Sequence, residues 1–284
     1  MDLATPDVQI RLSAFIASFA VLAVAEAMAP RRPRALGRRQ RWGGNLGLVA
    51  IDTIVVRLVP PVTAVAVAAL AEARGWGVLH ATGPWPVWVG VLVAVVWLDF
   101  AIYLQHVLFH AVPALWRLHR VHHTDLDLDV STGVRFHPVE MLLSMGFKSA
   151  AVAALGPPVA GVILFEIVLN AGSLWSHANL RLPPAADRLL RAMLVTPDMH
   201  RVHHSADPTE TDTNFGFTLS WWDRLLGTYR AQPKAGHEGM QIGVVGFDAH
   251  VALGLHRLVA QPWTTARAPR VLEEDPQIRA ARSR

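Results

Sequence analysis

Residues 85–110 read WPVWVGVLVAVVWLDFAIYLQHVLFH, and the character of the chain changes partway along them. From Trp85 to Leu98 the stretch is almost wholly apolar, which suits a helix crossing about 30 Å of hydrocarbon at about 1.5 Å per residue. From Asp99 onward, Asp99, Tyr103, His106 and His110 recur at helical spacing and so share one face. Polar and ionisable groups at the end of a membrane helix mark a functional site. The histidines continue downstream. His119 to His123 reads HRVHH, and the same five letters return at His200 to His204. Each copy sets three rings at i, i+3 and i+4 on one helical face. His137 and His177 stand singly between the second and third groups.

A single histidine on an apolar face is ordinarily a hydrogen-bonded core residue, but eight at ligand spacing point to metal. Neutral imidazole is the commonest metal ligand and suits iron, zinc, copper and nickel. The chain has no cysteine, so thiolate-zinc and iron–sulfur sites are excluded and any metal is held by nitrogen and oxygen. Ten candidate rings exceed the ligands of one ion, which implies two metals sharing the cluster. Asp99, Asp198 and Asp223 are candidates to offset their charge by orienting rings.

Composition agrees with a membrane protein. Hydrophobic residues make up 52%, charged ones only 17%, and mean hydropathy is +0.31, all unusual for a soluble globule. The net charge of +4 comes from arginine patches that read as topology-setting loops, not as a nucleic-acid footprint. Val8–Ala29 is a first crossing, and the acidic residues Asp2 and Asp7 before it argue against a signal peptide. Arg31, Arg32, Arg34, Arg38, Arg39 and Arg41 follow as a cytoplasmic loop. Leu46–Ala73, broken by Pro60-Pro61, is either a kinked crossing or two shorter pieces. Gly75–Pro86 is an outer link with Trp76, Trp85 and Trp88 as an interfacial belt. Val139–Leu155 and Val159–Trp175, joined by Gly156-Pro157-Pro158, read as a hairpin. The polar stretch Trp116–His137 belongs in water or in a cap over the membrane mouth, and every motif histidine then falls on the cytoplasmic face. Gly243–Trp263, with His250 and His256, reads as an interfacial helix, and Thr264–Arg284 as a charged disordered tail. The expected fold is therefore an all-α integral membrane protein whose spans are capped on the cytoplasmic side by a helical, histidine-rich di-metal region. The expected division is 1–84 for the N-terminal membrane helices, 85–262 for the catalytic region and 263–284 for the tail.

Spacing alone leaves the chemistry open among O₂ activation by iron, hydrolysis by zinc, and metal transport or haem binding. The ordered set H-x₃-H (His106, His110), H-x₂-H-H (His119, His122, His123) and H-x₂-H-H (His200, His203, His204) resembles the fatty acid hydroxylase superfamily, which includes sterol desaturases and alkylglycerol monooxygenase. DFAIYLQHVLFH from Asp99, VRFHPVE from Val134, SHAN from Ser176 and NFGFTLSWWDRLLGTY from Asn214 also resemble that family. Only eight residues separate His110 from His119, unlike the longer membrane-crossing insertion of acyl-CoA desaturases. The resemblance implies an oxidoreductase: a membrane-bound, non-haem di-iron oxygenase that uses O₂ and electrons to hydroxylate or desaturate a lipid. Its implied ligands are His106, His110, His119, His122, His123, His200, His203 and His204, with His137 and His177 as further candidates. With no cytochrome b5-like segment in the sequence, electrons are expected from a separate reductase, ferredoxin or cytochrome b5-like carrier. The expected location is a bacterial inner membrane. Sterol, fatty acyl, alkylglycerol and carotenoid substrates all remain open.

Overall fold

The structure, a computed structural model, describes residues 5–58, 63–247 and 253–265. The described residues are helical with no named strand, and four helices are long and apolar enough to cross a membrane: α1 (Pro6–Met28), α5 (Val87–Ala111), α7 (Pro138–Leu155) and α8 (Val159–His177). These match the expected crossings within a few residues. The interrupted stretch resolves into two shorter pieces, α2 (Arg38–Leu58) and α3 (Ala64–Arg74), with the short α4 (Val78–Thr82) ahead of α5.

The spans pack through one apolar core in which Ala64 and Ala68 of α3, Leu98 and Ile102 of α5, Val152 of α7, and Val162 and Phe165 of α8 are buried. Their outer faces stay apolar and exposed, as at Val21, Leu92 and Leu104, which is the pattern of helices solvated by lipid. The α7–α8 hairpin turns at Gly156, whose φ of +64° favours glycine. Its amide closes the helix by donating to the Val152 carbonyl at 2.8 Å, and Pro157 and Pro158 stop further winding.

Above the spans, α6 (Pro113–His123), a 3₁₀ turn at Thr132–Val134, α9 (Pro184–Leu190), α10 (Pro197–His203) and α12 (Trp221–Leu225) form a cap, with the minor turns α11 (Pro208–Thr211) and α13 (Gly236–Gly239) between them. The expected interfacial helix is short, α14 (Leu255–Ala260), running into a turn at Gln261–Trp263. His250 and residues 266–284 lie outside the described residues.

One sequence expectation is narrowed here and another changes. Of the two places expected for Trp116–His137, water or a cap, the stretch takes the cap: it is polar yet mostly buried, because its charges find each other there. The arginine cluster is likewise not all loop: Arg38 to Arg41 begin α2, and Arg41 is fully buried. Its guanidinium donates two bonds to the Asp125 carboxylate, at 2.7 and 2.6 Å, and one to Asp129 at 2.7 Å. A further bond reaches the Asp127 carbonyl at 2.5 Å. Asn45 and Arg135 complete this network. A two-pronged guanidinium–carboxylate pair is the geometry that makes buried charge tolerable. At the end of α1, buried Glu26 accepts from the Val130 and Asn179 amides, each at 3.0 Å, and from Arg34 and Arg38. The N-terminal helices are thus tied to the loops that carry the histidines.

Candidate metal centre

The histidines assemble into two nests. His106, His110, His119, His123 and His203 form one, and His122, His177, His200 and His204 the other, with ligand nitrogens in each nest all within 4.8 Å of one another. The sequence pattern explains the partition. Within the face that the three rings of each HRVHH box share, i+4 lies about 40° to one side of i and i+3 about 60° to the other, so the i, i+4 pair serves one nest and the i+3 ring the other. The second box sends His119 and His123 to the first nest and His122 to the second. The third box does the reverse, sending His200 and His204 to the second nest and His203 to the first. The two nests therefore interlock, and the His123 and His204 rings stack at 4.4 Å between centroids.

The ring nitrogens show what the nests are built for. Nδ1 of His106 meets the Phe215 carbonyl at 2.7 Å, Nδ1 of His177 the Ser173 carbonyl at 2.6 Å, and Nδ1 of His122 the Arg135 carbonyl at 3.3 Å. Nδ1 of His119 meets Glu140 at 2.6 Å, and Nδ1 of His110 meets Asp212 at 3.0 Å. A carbonyl can only accept, so Nδ1 carries the hydrogen there and Nε2 is left with the lone pair. Those lone pairs then point at each other. Nε2 of His106 and His119 are 3.1 Å apart, and of His177 and His122 2.9 Å; Nε2 of His200, whose Nδ1 has no partner, lies 3.0 Å from that of His177. Facing lone pairs repel unless a cation lies among them. Two nitrogens bound at about 2.1 Å to one metal with right-angle geometry sit about 3 Å apart, so these contacts fit metal ligation. His203 Nε2, buried and without a hydrogen-bond partner, fits the same reading.

Electrostatics keep the rings in the ligating form. Burial, reinforced by the neighbouring imidazoles, holds His122, His123, His200, His203 and His204 well below the ordinary histidine value of 6.5. An aromatic shell closes the site. Phe136 stacks on His122 at 4.7 Å, and Phe215 lies edge-on to His106, His110 and His203.

Nine of the ten sequence candidates are brought together, and His137 is not. It caps α7 instead: its Nδ1 accepts from the Val139 amide at 3.2 Å while its Nε2 donates to the Val259 carbonyl at 3.1 Å. The aspartates singled out from sequence also sit differently. Asp99 accepts from the Leu219 amide and the Trp222 indole, and Asp198 pairs with Arg31 and Arg201. Asp223 acts one step removed, accepting from the Phe215 and Gly216 amides at 2.7 and 2.9 Å and so fixing the carbonyl that orients His106. The carboxylates that touch rings, Glu140 and Asp212, were not singled out. Glu140 could have been, since it falls in VRFHPVE on the first turn of α7.

An all-α fold with four candidate spans and two interlocked histidine nests defines an integral membrane protein equipped to hold metal. Residues 91–228 match the fatty acid hydroxylase family. An ornithine lipid hydroxylase of Rhizobium tropici is 30% identical over 193 residues, covering 68% of this chain and 56% of that protein. An alkylglycerol monooxygenase of Xenopus tropicalis is 32% identical over 149 residues, 51% of this chain and 31% of its own length. A cholesterol 25-hydroxylase of Rattus norvegicus is 30% identical over 148 residues, 51% of this chain and 48% of the relative. The chain thus spans between about a third and somewhat over half of the length of these relatives. No solved structure matches. The matched segment contains every residue of both nests, so the likeness to the fatty acid hydroxylase family covers the whole candidate site.

Proposed function

We propose that the protein is a membrane-bound oxygenase holding two iron ions, which hydroxylates or desaturates a lipid with O₂ and electrons from a separate carrier. The observation that carries this reading is the convergence of Nε2 lone pairs in two adjoining nests. His106, His110, His119, His123 and His203 would hold one ion, and His122, His177, His200 and His204 the other. Bound iron would supply the redox chemistry that uses O₂ against an unreactive C–H bond. The chain's own residues do the rest. Glu140, Asp212 and the Phe215, Ser173 and Arg135 carbonyls fix ring orientation and tautomer, while Phe136 and Phe215 keep water away from the rings. The relatives' names supply the substrate class, since ornithine lipid, alkylglycerol and cholesterol are all lipids. The arginines between α1 and α2 lie beside the cap, which under the positive-inside rule supports a site on the cytoplasmic face of a membrane we take to be a bacterial inner membrane.

The test is incubation of the ferrous-loaded protein in nanodiscs with a chemical or enzymatic electron source, mixed lipids and ¹⁸O₂. The reading expects ¹⁸O in a hydroxylated lipid, or an O₂-dependent double bond. Turnover that persists without O₂ would refute it.

A further inference from the structure

Besides the four spans and α3, which is packed into their core, one short element of the cap lies alongside α5. In α5, Val87 to His106 measures about 28 Å at about 1.5 Å per residue. The 19 residues of α8, which end at His177, measure about the same. Both helices therefore bring their histidines to a level about 28 Å from their far ends, close to the ~30 Å thickness of a hydrocarbon core. Asp99 and Phe100 of α5 lie two turns below His106, about 10 Å nearer the bilayer centre. Against them sits α12. The Trp222 indole donates to Asp99 at 2.8 Å, its ring lies 4.8 Å from that of Phe100, and the Leu219 amide donates to Asp99 at 3.2 Å.

The outer side of this element is apolar and uncovered. Leu225 is 72% exposed and Leu226 53%, with Trp221 beside them. The last turn of α9 extends the patch with Leu189 at 76%, and the turn after it with Met193 at 57%. It abuts α12 because Ser220 donates its amide to the Met193 carbonyl and its hydroxyl to the Arg191 carbonyl. Arg188 beside it is exposed and long enough to reach the headgroup level, while Arg224 donates to the Arg191 carbonyl at 2.9 Å and lies over the Tyr229 ring, which ties α12 to that turn. On the inner side the loop leaves few amides unanswered. Asp223 accepts from Phe215 and Gly216, Asp99 from Leu219, and the Thr228 and Tyr229 amides close on the Asp223 carbonyl. Irregular backbone at membrane depth requires such satisfaction from within the protein.

We propose that α12, the end of α9 and the turn after it form a further membrane-contacting element, which dips without crossing. Its Leu225, Leu226, Leu189 and Met193 face lie among the acyl chains of the leaflet on the histidine side. Phe100, which Trp222 touches, stands one and two turns below Leu104 and Leu108 on α5, both exposed and apolar, so the occupant argued for the patch is the hydrocarbon of that leaflet. The inference goes beyond the proposed oxygenase activity and depends only on the membrane placement of α5.

Because the chain has no cysteine, single spin labels can be placed cleanly. Leu225→Cys and Met193→Cys would be labelled in nanodiscs beside a lipid control on α1, Val21→Cys, and a water control in the loop before α13, Ala235→Cys. Collision rates with O₂, which concentrates in lipid, and with a water-soluble nickel chelate then report the surroundings. The proposal expects both patch labels to match Val21→Cys, with an O₂-to-nickel ratio several-fold above that of Ala235→Cys. A ratio equal to Ala235→Cys would overturn it, as would protection from both reagents, which would indicate a protein partner or a second copy. A water-like signal at Val21→Cys as well would remove the membrane placement itself.

Discussion

Replacing Arg41 with methionine keeps the apolar stem and deletes the guanidinium that answers Asp125 and Asp129. Burial by itself raises the Asp125 carboxyl, but Arg41, Arg135 and their hydrogen bonds outweigh it and bring it down to about 2 from 3.8. A shift of that size corresponds to roughly 2.5 kcal/mol. Removing one partner of a buried pair costs about 3–5 kcal/mol, because the charge left behind is unpaired. Arg41→Met is therefore expected to lose about that much, a large share of a stability on the order of 10 kcal/mol. Arg41→Lys should lose less, since it keeps the charge and forfeits the fork. Asp125→Asn added to Arg41→Met should restore part of the loss. The pH dependence reverses between forms. In the native protein Asp125 has a depressed value, so its contribution is present above about pH 4 and fades as pH falls toward 2. In Arg41→Met the same carboxyl is buried without its main partner, its value rises, and the deficit should grow as pH rises above about 4, the ordinary carboxylate range. Equilibrium unfolding in mixed micelles at pH 5 and pH 8 would read both effects. A loss under about 1 kcal/mol, or one independent of pH, would refute the reasoning.

Three other outcomes are expected. Glu140→Gln removes the carboxylate that receives the His119 Nδ1 hydrogen, and metal affinity should fall about 10- to 100-fold in competition titrations with a chelator, whereas unchanged affinity would show that the contact orients nothing. His137→Ala should lower thermal stability by about 1 kcal/mol through loss of the α7 cap while leaving metal content intact, and loss of a metal would instead make His137 a ligand. The metal-free protein should melt at lower temperature as pH drops below about 6.5. The buried rings of His122, His123, His200, His203 and His204 resist protonation in the folded chain while the same rings accept protons once unfolded. A melting temperature flat from pH 7.5 to 5 would contradict that burial.

The spans were legible because a bilayer imposes a length and an apolar composition that sequence displays directly, as in Val87–Ala111. The nests were legible because helical spacing fixes which face a ring occupies, and HRVHH carries that spacing twice. What stayed hidden depends on contacts between distant segments. Arg41 sits in an arginine-rich run that looks like a loop, and only the fold shows that Asp125, more than eighty positions later, is its partner. Glu140 and Asp212 acquire meaning only once His119 and His110 are placed beside them. The same holds for His137, whose place just before Pro138 equally suits a helix cap.

The central claim is that the two nests hold two redox-active irons. Detergent-purified protein, loaded with ferrous iron without O₂, should contain two irons per chain by mass spectrometry and change its optical spectrum on admission of air. His122→Ala should lose metal, while His256→Ala, at an exposed position, should keep both. Two irons with an O₂-dependent spectral change would uphold the account. A single zinc that does not exchange for iron, or no bound metal, would contradict it.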